Sequence, residues 1–223
     1  MDVSIIVYIL LLIIPLCATI GIKSAYSKYK KKENEKKISG CEVARKILDK
    51  NGLSNMYVIE TGGELTDCYD PTRKTVKLSH DVFHGTSIAA MAIAAHECGH
   101  AIQDKEGYGW MKFRSALFPY VNISSKAAYI LLIIGIVLES VDFIYAAVAI
   151  TGFGLLFQIV TLPVEFDASA RAKKELKSLD LVNKKEANGV NIILNKAAQT
   201  YVAGVLTTVL QMLYYLGVFR RRD

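Results

Sequence analysis

Apolar positions along this chain gather into long blocks. Residues 3–22 are almost continuously apolar, 143–160 form a second block, and 197–218 form a third that is interrupted by Thr200, Thr207, Thr208 and Gln211. Each is long enough, as a helix, to cross about 30 Å of hydrocarbon. A fourth block, 127–138, falls short of the roughly 20 residues a span needs unless its helix begins upstream near Tyr120. It is read as a span on that basis, with Lys126 snorkelling to the interface.

Between the first and fourth blocks the pattern shortens. Over 41–50 the apolar residues Val43, Ala44, Ile47 and Leu48 share one helical face, and Asn51-Gly52 is a stop signal. Residues 56–60 read as a strand, Gly62-Gly63 as a turn, 65–69 as a second extended piece, Asp70-Pro71 as another turn and 75–78 as an alternating strand. From Thr86 the run SIAAMAIAAHECGHAIQ is rich in alanine and lacks proline, which predicts one helix. It is apolar on most sides and is therefore expected to be buried.

Composition places these blocks in a bilayer. The chain has 223 residues, of which 52% are hydrophobic, high for a soluble protein. The first block lacks a basic region before it and a small-residue cleavage site after it, so it reads as a retained anchor. The four cysteines, Cys17, Cys41, Cys68 and Cys98, have no CxxC spacing, which argues against thiolate metal sites and disulfides.

The net charge of +6 would fit nucleic acid, but the basic residues cluster beside apolar segments, where they report membrane topology. No nucleic-acid partner is expected. The segment KSAYSKYKKKENEKK after the anchor marks the cytoplasmic side. The loop 139–142 between the second and third spans is acidic and lacks Lys and Arg, as an external loop should. All of the 27 Lys and Arg residues except Arg220, Arg221 and Arg222 then fall inside. That tail breaks the rule if the last block crosses, so crossing there stays open. The chain then divides into an anchor 1–22, a basic linker 23–38, a region 39–117 that holds the HECGH stretch, a transmembrane hairpin 118–160, a helix and juxtamembrane region 161–196 that holds Glu165, a C-terminal hydrophobic helix 197–218 and a basic tail 219–223.

The chemistry lies in HECGH. On a helix His96 and His100 are one turn apart on the same face, so both imidazoles can reach one tetrahedral ion. Glu97 stands beside the first ligand, where its carboxylate can act as general base on a zinc-polarised water. The alternative is a buried helix whose histidines are satisfied by ordinary partners. That would leave two His and a Glu to be desolvated on an Ala-rich helix, at a cost of several kcal/mol. Gly99 adds no side chain and can admit another backbone, while Cys98 is expected to pack inward without binding metal.

A catalytic zinc needs a third protein ligand and an open position. The remaining histidines, His80 and His84, lie close upstream. In 161–171 the sequence TLPVEFDASAR reads as a fresh helix with Pro163 in its first turn, and Glu165 is taken as the third ligand. The competing reading makes Glu165 and Asp167 simple helix-dipole partners. Arg171, Tyr108, His84 and Asn122 are unranked candidates for an oxyanion donor.

HECGHAIQ followed by EFDASARA resembles the gluzincin pattern of the HtpX heat-shock proteases and CAAX prenyl proteases. Through LTDCYDP, VKLS, GTSIAA, AAHECGHAIQ, FPYVNISS, LPVEFDASARA and TYVA the chain more closely resembles the YugP-type neutral zinc metallopeptidases, over nearly its whole length. The resemblance implies His96, His100 and Glu165 as zinc ligands and Glu97 as base. It also implies that the strand around Val76 borders the cleft and pairs with an extended substrate. Related proteases carry aspartate four residues after the ligand glutamate; Ser169 stands there, and no supporting contact is expected of it.

These readings converge on an α-helical multi-pass membrane protein with a small α+β zincin-like region and HExxH on a buried helix. It is expected to be a Zn2+ endopeptidase acting on membrane-associated polypeptides at the cytoplasmic face of the cell membrane. The zinc is expected close to the bilayer surface, because Glu165 lies only five residues past Val160. The rival class is a non-catalytic membrane scaffold stabilised by zinc, and a second rival places the site outside.

Overall fold

The computed structural model describes residues 3–219, so Arg220, Arg221 and Arg222 lie outside the described residues. In chain order the elements are α1 (Val3–Lys30), α2 (Gly40–Lys50), β1 (Tyr57–Thr61), β2 (Cys68–Asp70), β3 (Thr75–Ser79), α3 (His80–Phe83), α4 (Ile88–Glu106), α5 (Gly109–Val137), α6 (Val141–Ser178) and α7 (Lys184–Phe219). They form two compact units. One comprises the described residues of Met1–Thr19, Lys112–Pro163 and Gln199–Asp223, the other Ile20–Met111 and Val164–Ala198.

In the first unit the apolar blocks are helical. Among the described residues, three helices, Ile5–Lys30, Gly109–Val137 and Val141–Ser178, which also run into the second unit, are long and apolar enough to cross a membrane. Their large side chains are turned outward: Leu12 is 69% exposed, Phe118 60% and Ile136 62%. Such a surface is stable against lipid and costly in water, which makes this a membrane protein. The helix covering 127–138 begins at Gly109, well upstream of Tyr120. The C-terminal helix is not among the three; its Thr208 hydroxyl donates to Gln158 Oε1 at 3.0 Å, so part of its polar face meets protein.

One expectation fails. No fresh helix begins at 161: α6 is a single 38-residue helix with Pro163 in its interior. Proline removes one backbone donor and crowds the preceding turn, yet helices of membrane proteins tolerate it where neighbouring groups re-satisfy the backbone. Pro15 in α1 and Pro119 in α5 are interior as well.

The second unit is built around α4. Helix α2 opens with a capping box, in which the Ser39 hydroxyl accepts from the Glu42 N–H and the Glu42 side chain accepts from the Ser39 N–H. Its apolar face of Val43, Ala44, Ile47 and Leu48 is fully buried. The three strands are ordered β1-β3-β2, with β1 parallel to β3 and β2 antiparallel. Asp70 shapes the β2–β3 turn by accepting from the Thr72 and Arg73 N–H groups, both at 3.1 Å. The core joins Ile47 and Leu48 of α2, Val76 and Leu78 of β3, Met91 of α4, Leu176 of α6 and Ile193 of α7.

Candidate metal centre

Helix α4 carries His96, Glu97 and His100. Its N-cap Ser87 accepts from the Ala90 N–H at 3.1 Å, and Gly107 closes the other end in the left-handed region at φ 66°. Small side chains let the rest of the unit close around it: Ala92, Ala94, Ala95, Cys98 and Ala101 are fully buried. Cys98 packs inward as expected, its Sγ 3.6 Å from the Ala44 carbonyl, and burial pushes its thiol pKa well up.

Gly99 decides how near α6 can come. A β-carbon there would stand 2.5 Å from the Ala168 carbonyl oxygen. On α6, Glu165, Ala168, Ser169 and Ala172 recur at helical spacing and so share one face. All four are buried. The close contact at Gly99 therefore presents Glu165 and Ser169 to the histidines of α4.

His96 Nε2 lies 3.2 Å and His100 Nε2 3.6 Å from Glu165 Oε2. A tetrahedral zinc with ligands at roughly 2.0–2.1 Å sets neighbouring donor atoms about 3.3 Å apart. The two separations from Glu165 match that spacing, and the three side chains, whose donor atoms all lie within 4.8 Å of one another, are a donor set that fits such an ion. Both imidazoles have their remaining nitrogen engaged. His100 Nδ1 donates to Gln103 Oε1 at 3.0 Å, and His96 Nδ1 stands 3.2 Å from the Ser169 hydroxyl. The Gln103 amide nitrogen donates to the Val164 carbonyl and to Asp167 Oδ2, each at 2.8 Å. Since both are pure acceptors, the amide orientation is fixed. His100 must then carry its proton on Nδ1 and turn Nε2 to the centre.

Burial raises the Glu97 carboxyl pKa; the charges of His96 and His100 oppose this, and those of Glu165 and Asp67 add to it. Burial would lower the His100 pKa, but the hydrogen bond to Glu165 and the charge of Glu97 outweigh it and the net shift is upward. A buried carboxyl with a raised pKa next to two imidazoles suits proton transfer.

Two supporting residues escaped sequence reasoning. Gln103 is fully buried one turn past His100, and that spacing was the available signal. Ser169, expected to make no supporting contact, approaches His96. A serine hydroxyl can take the place of a carboxylate there because α6 comes so close at Gly99.

The strand expected to receive substrate is corrected too. β3 is central, paired with β1 through Val58↔Val76 and with β2 through Tyr69↔Val76, so Val76 offers no free edge. Among the oxyanion candidates, Arg171 is held by Asp167 at 2.5 Å and by Glu106 at 2.6 Å and lies over the Tyr108 ring at 5.8 Å. His84 belongs to a different cluster with Glu60 and His80.

A family model described as "putative neutral zinc metallopeptidase" matches residues 4–220. The "Putative membrane protease YugP" of Bacillus subtilis (strain 168) is 43% identical over 202 residues, which cover 91% of this chain and 90% of that protein. No solved structure matches the chain.

Proposed function

Because this chain belongs to the putative neutral zinc metallopeptidase family, whose cofactor is Zn2+, we propose that it hydrolyses peptide bonds with His96, His100 and Glu165 as ligands and Glu97 as general base. The observation that carries this reading is the convergence of His96, His100 and Glu165 donor atoms within 4.8 Å, beside a buried Glu97.

Bound in this position, zinc would supply Lewis acidity towards water and towards a peptide carbonyl. The protein does the rest. Gln103 and Ser169 hold the imidazoles in orientation, and the Glu97 carboxylate takes the proton of the attacking water. Glu97 then returns that proton to the leaving amine, so no proton is gained or lost over the cycle. Three protein donors leave a coordination position open, which a purely structural site closes with a fourth residue; this favours the peptidase over a zinc-held scaffold.

The substrate is proposed to be a membrane-bound or membrane-emerging polypeptide. Glu165 follows the apolar stretch ending at Val160 by five residues on the same helix, about 7–8 Å at a helical rise of 1.5 Å per residue. The distribution of Lys and Arg supports a multi-pass chain with its site on the cytoplasmic face. Glu165→Ala tests the ligand set. It should lose the tightly bound zinc and cleavage of a membrane-anchored peptide in liposomes; retention of that tight equivalent would contradict the assignment.

A further inference from the structure

The chain has four histidines. Two form the centre described above, and the other two meet in a second group of the same composition. His80 opens α3 and His84 caps it, with the His84 N–H donating to the His80 carbonyl at 3.1 Å. One helical turn thus stacks the imidazoles on the same side, ring centroids 4.9 Å apart. Glu60 comes from β1, where it is paired with Leu78 next to the end of β3. Its Oε1 is 2.6 Å from His80 Nδ1 and its Oε2 is 2.9 Å from His84 Nε2.

From this geometry we infer that Glu60, His80 and His84 form a second zinc site, separate from the peptidase centre. The donor atoms lie within 4.8 Å of one another, and the arrangement repeats that of His96, His100 and Glu165: two histidines one turn apart and a carboxylate from another element between them. Two imidazole nitrogens and one carboxylate select zinc and its transition-metal neighbours over magnesium or calcium, which prefer all-oxygen shells.

The two centres differ in burial. The side chains of Glu60, His80 and His84 are 42%, 71% and 56% exposed, against 4–14% for Glu165, His100 and His96. The second site is therefore open to exchange with the surrounding zinc pool and binds more weakly. Its ion would tie β1 to α3 at the end of β3, where Ser79 holds Asp67 through its N–H at 2.7 Å and its hydroxyl at 3.1 Å.

Zinc binding by the tag-free, full-length protein in detergent tests this, titrated with chelator-buffered Zn2+ and read as metal per chain. Wild type should take up two equivalents in separate steps. His80→Asn/His84→Asn should lose the weaker step and keep the tighter one along with peptidase activity. Glu165→Ala should show the reverse, keeping the weaker step, so failure of the peptidase reading and failure of the second site are distinguishable. Glu60→Gln, a milder change at an exposed position, should weaken the second step at least tenfold with an unchanged unfolding midpoint. A wild type that saturates at one equivalent, or a double histidine variant that still takes up two, overturns the site.

Discussion

Gly99 and Ala168 are in backbone contact, so that a β-carbon at Gly99 would lie 2.5 Å from the Ala168 carbonyl oxygen. Gly99→Ala gains about 1 kcal/mol of helix propensity. Against that stands an overpacking cost of about 1–3 kcal/mol, at the upper end here because a backbone carbonyl cannot swing aside like a side chain. The variant should unfold at lower temperature and release zinc to a chelator faster, since α6 carries Glu165. A more stable variant with unchanged zinc release would show that α6 can give way.

Gln103 links His100, a proposed ligand, to α6. Gln103→Leu keeps roughly the volume but strips the partner from His100 Nδ1, the Val164 carbonyl and Asp167. Groups left unsatisfied by such a loss cost about 1–3 kcal/mol, and outer partners of metal-binding histidines are worth about 10–100-fold in affinity. Competition with a fluorescent zinc chelator should show a loss in that range, with Glu97 untouched.

The capping box of α2 gives a pH signature distant from the metal. The Ser39 N–H and hydroxyl hold the Glu42 carboxyl below its ordinary range. A depressed folded pKa contributes stability that is present above the unfolded value and lost as pH falls through the folded one. Glu42→Gln should therefore unfold more easily than wild type near neutrality, by about 0.3–1 kcal/mol with exposure and salt screening it towards the lower end. The gap should close as pH falls below the glutamate range. Parallel thermal melts across that range check it.

Much of the protein was legible because each signal was local. The α2 face, the α4 run and the apolar blocks are periodicities within single elements, and HECGH is confined to two turns of one helix. Glu165 was reachable because it stands on a recognisable stretch, although its helix was misread: Pro163 looked like a start and is interior. What stayed hidden depends on contacts between distant segments. Ser169 meets His96 only because Gly99 lets two helices touch. The central place of β3 follows from a crossover that no alternation pattern reports, and the Glu60–His80–His84 group forms only once β1 pairs with β3.

The proposed cytoplasmic placement of the site rests on charge asymmetry and can be tested at Cys68, which is exposed, whereas Cys41 is half-buried. In a variant with Cys17 and Cys41 replaced by serine, a membrane-impermeant maleimide should label inside-out vesicles and leave intact cells unlabelled. Labelling of intact cells would put the site on the outer face.

The central claim is that Glu97 moves the proton while His96, His100 and Glu165 hold the metal. Zinc-loaded Glu97→Gln, compared with wild type in liposomes containing a membrane-anchored peptide, separates the two roles. The substitution should leave one tightly bound zinc per chain and lower the cleavage rate by about 100-fold or more, the scale of a lost general base. Cleavage at the wild-type rate by that zinc-loaded variant would contradict the account.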